Sequence, residues 1–267
     1  MKSDYTPVIH NADSIYSAVK VLAKFQMNVD RILYVESAYQ DFVFLKEETD
    51  TPTRQGQIAL ERRARSYFLE FEIFLDHWKK YIANHPRKEE FKTLFNQLTH
   101  DAFDTSDDYA MTIIIRNYVT HSAGIIQGTF WGSNNKVFEV GCSKDILLSD
   151  STFNNTKKEI IKRQPAQFIS LHPIMRGSLE KLKEIQDSLI RFQIDKEIIN
   201  AANAVREAIE IIKKQGQQKH WFFIDENGPE LMTVDKDGKP IEFIKGKYVE
   251  EFYWKDSEKL ISTWLRQ

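Results

Sequence analysis

The chain has 267 residues, 42% of them hydrophobic, and a formal net charge of −2. That apolar content fills a real core and excludes a disordered chain, while the near-neutral charge excludes a global field for nucleic acid or anionic membrane, so any RNA contact needs a local basic patch. The single cysteine, Cys142, excludes an intramolecular disulfide and a Cys-based zinc site, and no segment has the apolar run of a signal peptide or a membrane span, which points to a soluble, cytoplasmic protein with no membrane partner.

From Asn11 to Lys46 the apolar residues Ile15, Val19, Leu22, Val29, Ile32, Val35 and Phe42 recur at helical spacing, which predicts one long helix over 13–46. Pro52 and Gly56 in EETDTPTRQGQ then break the pattern. A second helix is expected over 57–83, with Ala64, Phe68, Phe71, Leu75, Trp78 and Ile82 on one side. Arg54, Arg62, Arg63 and Arg65 lie at or near its start. Together with KKEIIKR further on, these arginines read either as weak RNA-phosphate contacts or as a solvated face with ion pairs such as Glu61–Arg65. Pro86 opens a shorter helix over 87–99. HDAFDTSDD reads as a loop in which Ser106 or Asp107 caps the next helix. Its His100, Asp101, Asp104, Asp107 and Asp108 are donors that would suit Mg²⁺, but a solvated, acid-rich helix start explains them better, and no metal site is assigned.

The next helix, over 107–122, carries IIIRNYVTH and stops at Gly124. Two strands follow within 125–141 around the turn GSNN. SLHPIMRG, with Pro173 and Gly177, reads as punctuation before helices over 178–192 and 195–214. HWFFID, ELMTVD and PIEFI read as strands within 220–245, separated by ENGP and DKDG, and DSEKLISTWLRQ as a closing amphipathic helix. Cys142 reads as a buried structural thiol rather than a nucleophile. The expected organisation is a helical core over 1–124, a β-hairpin insertion over 125–150, further helices over 151–216, and a β meander with a C-terminal helix over 217–267.

Arg116, Asn117 and His121, in the order R-N-Y-V-T-H near the end of an apolar helix, resemble the R-N-x-x-x-H motif of the HEPN (higher eukaryotes and prokaryotes nucleotide-binding) family. The resemblance covers the motif and the helical part as far as Lys214, and nothing in the β tail matches it. It implies a mainly α, HEPN-like helical bundle, here with a small antiparallel β appendage. It also implies a homodimer and a metal-independent endoribonuclease with no cofactor, of the kind found in toxin–antitoxin, abortive-infection and other antiviral systems. RNA would be the substrate and an antitoxin or regulatory protein a partner. Some members are non-catalytic, so a helical module that docks a nucleotide or a protein is the alternative.

The residue types suit the chemistry. Cleavage by the ribose 2′-OH needs a group that moves protons near neutral pH, as histidine does, and a fixed cation for charge growing on the phosphoryl oxygens, as arginine is. Five helical residues turn through about 500°, so Arg116 and His121 leave the axis roughly 140° apart, whereas Asn117 and His121 share a face. Either the helix loosens near His121, or a two-fold dimer brings two copies of the motif into one cleft.

Overall fold

Every third or fourth residue between Leu60 and Ile82 is apolar, and the side chains of Leu60, Ala64, Tyr67, Phe68, Phe71, Phe74, Leu75, Trp78 and Ile82 are all buried. In the computed structural model this stripe makes a 30-residue helix, Arg54–Ala83 (α3). It begins three residues before the expected start because Thr53 caps it, its hydroxyl accepting from Gly56 N at 3.0 Å. The structure describes residues 12–48, 53–121, 128–131, 138–214, 220–225, 228–234, 240–242 and 261–265.

Among these, the chain is mainly helical with a small antiparallel β component, as expected. The other helices are Ala12–Val29 (α1), Arg31–Glu48 (α2), Lys88–Thr105 (α4), Asp107–His121 (α5), Lys144–Ser149 (α6), Asn155–Arg163 (α7), Leu171–Gln193 (α8) and Lys196–Lys214 (α9). Strands Gly128–Trp131 (β1), Phe138–Ser143 (β2) and Phe168–Ser170 (β3) form one antiparallel sheet in that order. Strands His220–Asp225 (β4), Gly228–Val234 (β5) and Pro240–Glu242 (β6) form another. Residues Ile261–Leu265 make a π-helical turn with Ile261 buried; the rest of the expected closing helix, like the turns GSNN and DKDG and the stop at Gly124, lies outside the described residues.

Two compact units divide the chain: Met1–Val29 with Ile190–Gln267, and Asp30–Leu189. In the first, α1 packs along α9, with Ala18, Leu22 and Phe25 buried on one helix and Ile198, Ala201, Ala202 and Val205 on the other. Asn28 Nδ2 donates to Gln193 Oε1 at 3.0 Å, which satisfies two buried amides at once.

The second unit is built on α3. It packs along α2 and beside α4 and α5. Its buried polar atoms are spent on α8: Tyr67 OH donates to the Met175 carbonyl at 2.8 Å and meets Ser178 Oγ at 2.7 Å, and Trp78 Nε1 donates to Gln186 Oε1 at 3.0 Å. Tyr39 of α2 also reaches α8, its hydroxyl 3.0 Å from His172 Nε2. Lys144 Nζ donates to the carbonyls of Lys162 and Gln164, placing a cation at the C-terminal end of α7.

Four expectations are corrected. The helix predicted over 13–46 is two helices, because α1 stops at Val29 and the Asp30 carbonyl takes a tight bond from Leu33 N at 3.0 Å. HDAFDTSDD is not a loop: α4 runs to Thr105, with Phe91, Phe95 and Ala102 buried at helical spacing, and only Ser106 interrupts before its hydroxyl accepts from Tyr109 N at 3.2 Å. SLHPIMRG lies mostly inside α8; Pro173 falls in the first turn, where no donor is needed. Gly177 leaves the space into which Asp108 packs, and a Cβ there would run into the Asp108 carboxylate. Finally, β3 and the short helices α6 and α7 occupy a stretch with no expected elements.

Candidate functional site

Arg116 sits in the penultimate turn of α5. The inner face of this helix is apolar, with Tyr109, Ala110, Met111, Ile114 and Ile115 buried, and it packs against α3, α4 and α7. Asp107 and Asp108 in its first turn complement the positive helix end. Arg116 therefore leaves a rigid, well-packed rod rather than a loop, and only about 20% of its side chain is exposed.

Asn117 and Glu72 both meet its guanidinium. Asn117 Oδ1 accepts from Nη2 at 2.8 Å and from Nε at 3.3 Å. Glu72 Oε1 of α3 lies 3.8 Å from Nη1. The polar residue after the arginine thus has a physical role: it holds the fork from the Nε side and leaves the Nη1 edge facing α3. Arg116 also offsets part of the upward push that burial exerts on the Tyr109 phenol.

Beside Arg116, α3 and α5 line an open groove of about 240 Å³. Arg65, Leu69 and Glu72 recur at i, i+4 and i+7 on α3, and Arg116 and Val119 at i and i+3 on α5, with Phe68 beneath. The pocket has an apolar floor and charged rims. Glu61 Oε1 accepts from Arg65 Nη2 at 2.9 Å and from Nε at 3.1 Å, which ties that second guanidinium to its own helix.

The expected site residues are therefore brought together in part. Arg116 and Asn117 form one hydrogen-bonded unit, and Arg65 joins them at the same pocket. His121 is the last residue of α5, and its side chain lies outside what is described. Arg63 is turned elsewhere, donating to Asp41 at 2.9 Å, and Arg54 and Arg62 are exposed at the helix start. Of KKEIIKR, Lys162 pairs with Glu159 and Arg163 with Asp107.

The acidic residues of HDAFDTSDD do not converge, and among the described residues no group of three or more His, Cys, Asp or Glu could hold a metal ion. Cys142 is buried in β2, and burial pushes its thiol up to about 12, far from a nucleophile's range. No described helix is long and apolar enough to cross a membrane. Sequence reasoning missed Glu72. Its signal was an acid seven residues after Arg65, on the same polar face of the second helix.

No protein-family model, curated protein or solved structure matches this chain.

Proposed function

We propose that this chain is a metal-independent endoribonuclease of the HEPN type, acting as a toxin or antiphage effector in the cytoplasm. The observation that carries the reading is Arg116: a guanidinium clamped by Asn117 at 2.8 Å, on a rigid helix, at the edge of a pocket that a second arginine also lines, with a histidine closing the same helix. A preorganised cation of this kind costs little to aim at a phosphate when charge builds on its oxygens.

In the proposed reaction the ribose 2′-oxygen attacks the adjacent phosphorus, and the bond from phosphorus to the 5′-oxygen breaks. His121 takes the 2′-OH proton, and the departing 5′-oxygen takes a proton from water, leaving a 2′,3′-cyclic phosphate and a 5′-hydroxyl. Arg116 stabilises the phosphoryl oxygens throughout. A two-fold dimer with the motif helices near its axis would answer the divergence of Arg116 and His121 around the helix.

The test is RNA breakdown by wild type beside His121→Ala, with EDTA present. Cyclic-phosphate products that vanish with the substitution support the reading. Activity that chelation stops and Mg²⁺ restores would overturn it. One observation favours a second reading, a non-catalytic module that docks a nucleotide or a protein: Glu72 already partly neutralises Arg116, as suits an anion clamp that opens on binding. Equal behaviour of wild type and His121→Ala would select it.

A further inference from the structure

Glu72 needs an explanation that phosphate binding does not give. A carboxylate 3.8 Å from the guanidinium that would grip a polyanion repels that polyanion. Its neighbours on the same stripe, Leu69 and Arg65, line the same pocket, so it cannot be set aside as a solvated residue on another face. At 39% exposure its carboxylate remains accessible.

The pocket's shape narrows what it holds. At about 240 Å³ it is smaller than the ~300 Å³ at which sites for drug-sized ligands begin, and it is open to solvent on one side, which suits a single base laid against it. Phe68, Leu69 and Val119 give it an apolar surface, which suits the face of a base turned out of its stack. Arg65 and Arg116 at the rims suit the phosphates on either side of that base.

From this arrangement we infer that the groove between α3 and α5 is a base-reading subsite and that Glu72 selects guanine. This rests on the nuclease reading for its substrate class and adds to it the identity of the base. An ionised carboxylate only accepts hydrogen bonds, through two oxygens side by side. Guanine is the base whose pairing edge presents two adjacent donors, the N1 imino and the N2 amino groups. Cytosine and adenine set a ring-nitrogen acceptor beside their amino group, and uracil flanks its single imino donor with carbonyl oxygens, so each turns a lone pair toward the carboxylate. When guanine binds, Glu72 exchanges its contact with Arg116 for the two base donors. Asn117 keeps hold of the Nε side of the guanidinium throughout.

The experiment is calorimetric titration of the full chain with the 3′-monophosphates of guanosine, adenosine, cytidine and uridine, one at a time. Wild type should bind the guanosine nucleotide at least about tenfold more tightly than the others. Glu72→Gln should lose that preference and keep the weaker binding common to all four; circular dichroism checks that it folds. Arg65→Ala should weaken all four alike, leaving the preference in place. Equal affinities in wild type, no binding at millimolar nucleotide, or a guanine preference that survives Glu72→Gln would each overturn the inference. Its fate is separable from that of the nuclease reading. Guanine-selective binding by a chain that cuts no RNA keeps the subsite and removes the enzyme. Cleavage that depends on His121 but shows no base preference does the reverse.

Discussion

Asn117 and Arg116 are bonded to each other, so their substitutions should not act independently. Arg116→Ala removes the charge that meets the phosphoryl oxygens. Loss of one such stabiliser costs on the order of 100-fold in rate, about 2.7 kcal/mol. Asn117→Ala leaves the guanidinium in place but frees it at Nε and Nη2, where the contacts measure 3.3 and 2.8 Å. A hydrogen bond to a charged group is worth about 1.5–3 kcal/mol, and that bounds the cost of letting the fork wander. Because the arginine side chain stays packed, only about 20% exposed, the expected loss is nearer the lower figure, roughly tenfold. The double variant should then be no slower than Arg116→Ala alone, since an asparagine that works through an arginine has nothing left to position. The assay is kcat/KM on a fluorophore-labelled RNA oligonucleotide for wild type, both single variants and the double. A double variant a further tenfold below Arg116→Ala would mean that Asn117 meets the RNA itself, and a larger loss for Asn117→Ala than for Arg116→Ala would refute the hierarchy altogether.

The Thr112 hydroxyl is buried and has no hydrogen-bond partner among the described residues, so Thr112→Val should raise stability by about 1 kcal/mol, read as an increased urea midpoint at unchanged slope; a loss of stability would show the hydroxyl to be satisfied. Burial, and then the neighbouring charges of Asp107 and Glu180, hold the Asp108 carboxyl above its ordinary range. The folded state thus binds the proton more readily than the unfolded one, and ionised Asp108 costs stability at neutral pH. Asp108→Asn should be the more stable protein at pH 7, its advantage closing as pH falls through the raised value into the ordinary carboxylate range, near 4; urea melts across pH would refute this if the gap stayed constant. Mixing Arg116→Ala with His121→Ala protein should restore part of the RNA cleavage if each cleft draws its groups from two chains, and a monomer of full activity in size-exclusion chromatography would refute the shared cleft.

How far the sequence could be read depended on whether the deciding contact was local. The apolar stripe of α3 announces itself, because each buried residue has another three or four places along the chain. The break at Asp30 does not, because Val29 and Ile32 keep the apolar rhythm across it while the interruption is made by backbone alone. The acids of HDAFDTSDD hid the last turns of α4, although Ala102 marked them as helical. Pro173 and Gly177 looked like breaks and are not. One sits where a helix needs no donor, and the other is required by Asp108, a residue far away in sequence. The site divides in the same way. Arg116 and Asn117 were both named from the motif, though not their bond to each other, whereas Glu72 meets Arg116 only after α3 and α5 have packed.

The lone thiol has a practical consequence. Cys142 lies in the middle strand of the β1–β2–β3 sheet, directly after Gly141, where any Cβ would strike the Ile169 carbonyl and the Phe168 ring. An alkylating reagent cannot reach a sulfur so enclosed, and little of it ionises while the sheet is closed. Labelling must wait for the packing around β2 to open, so its rate in native buffer times the opening of that region. With no second thiol in the chain to confuse the signal, the protein carries its own clock for local unfolding.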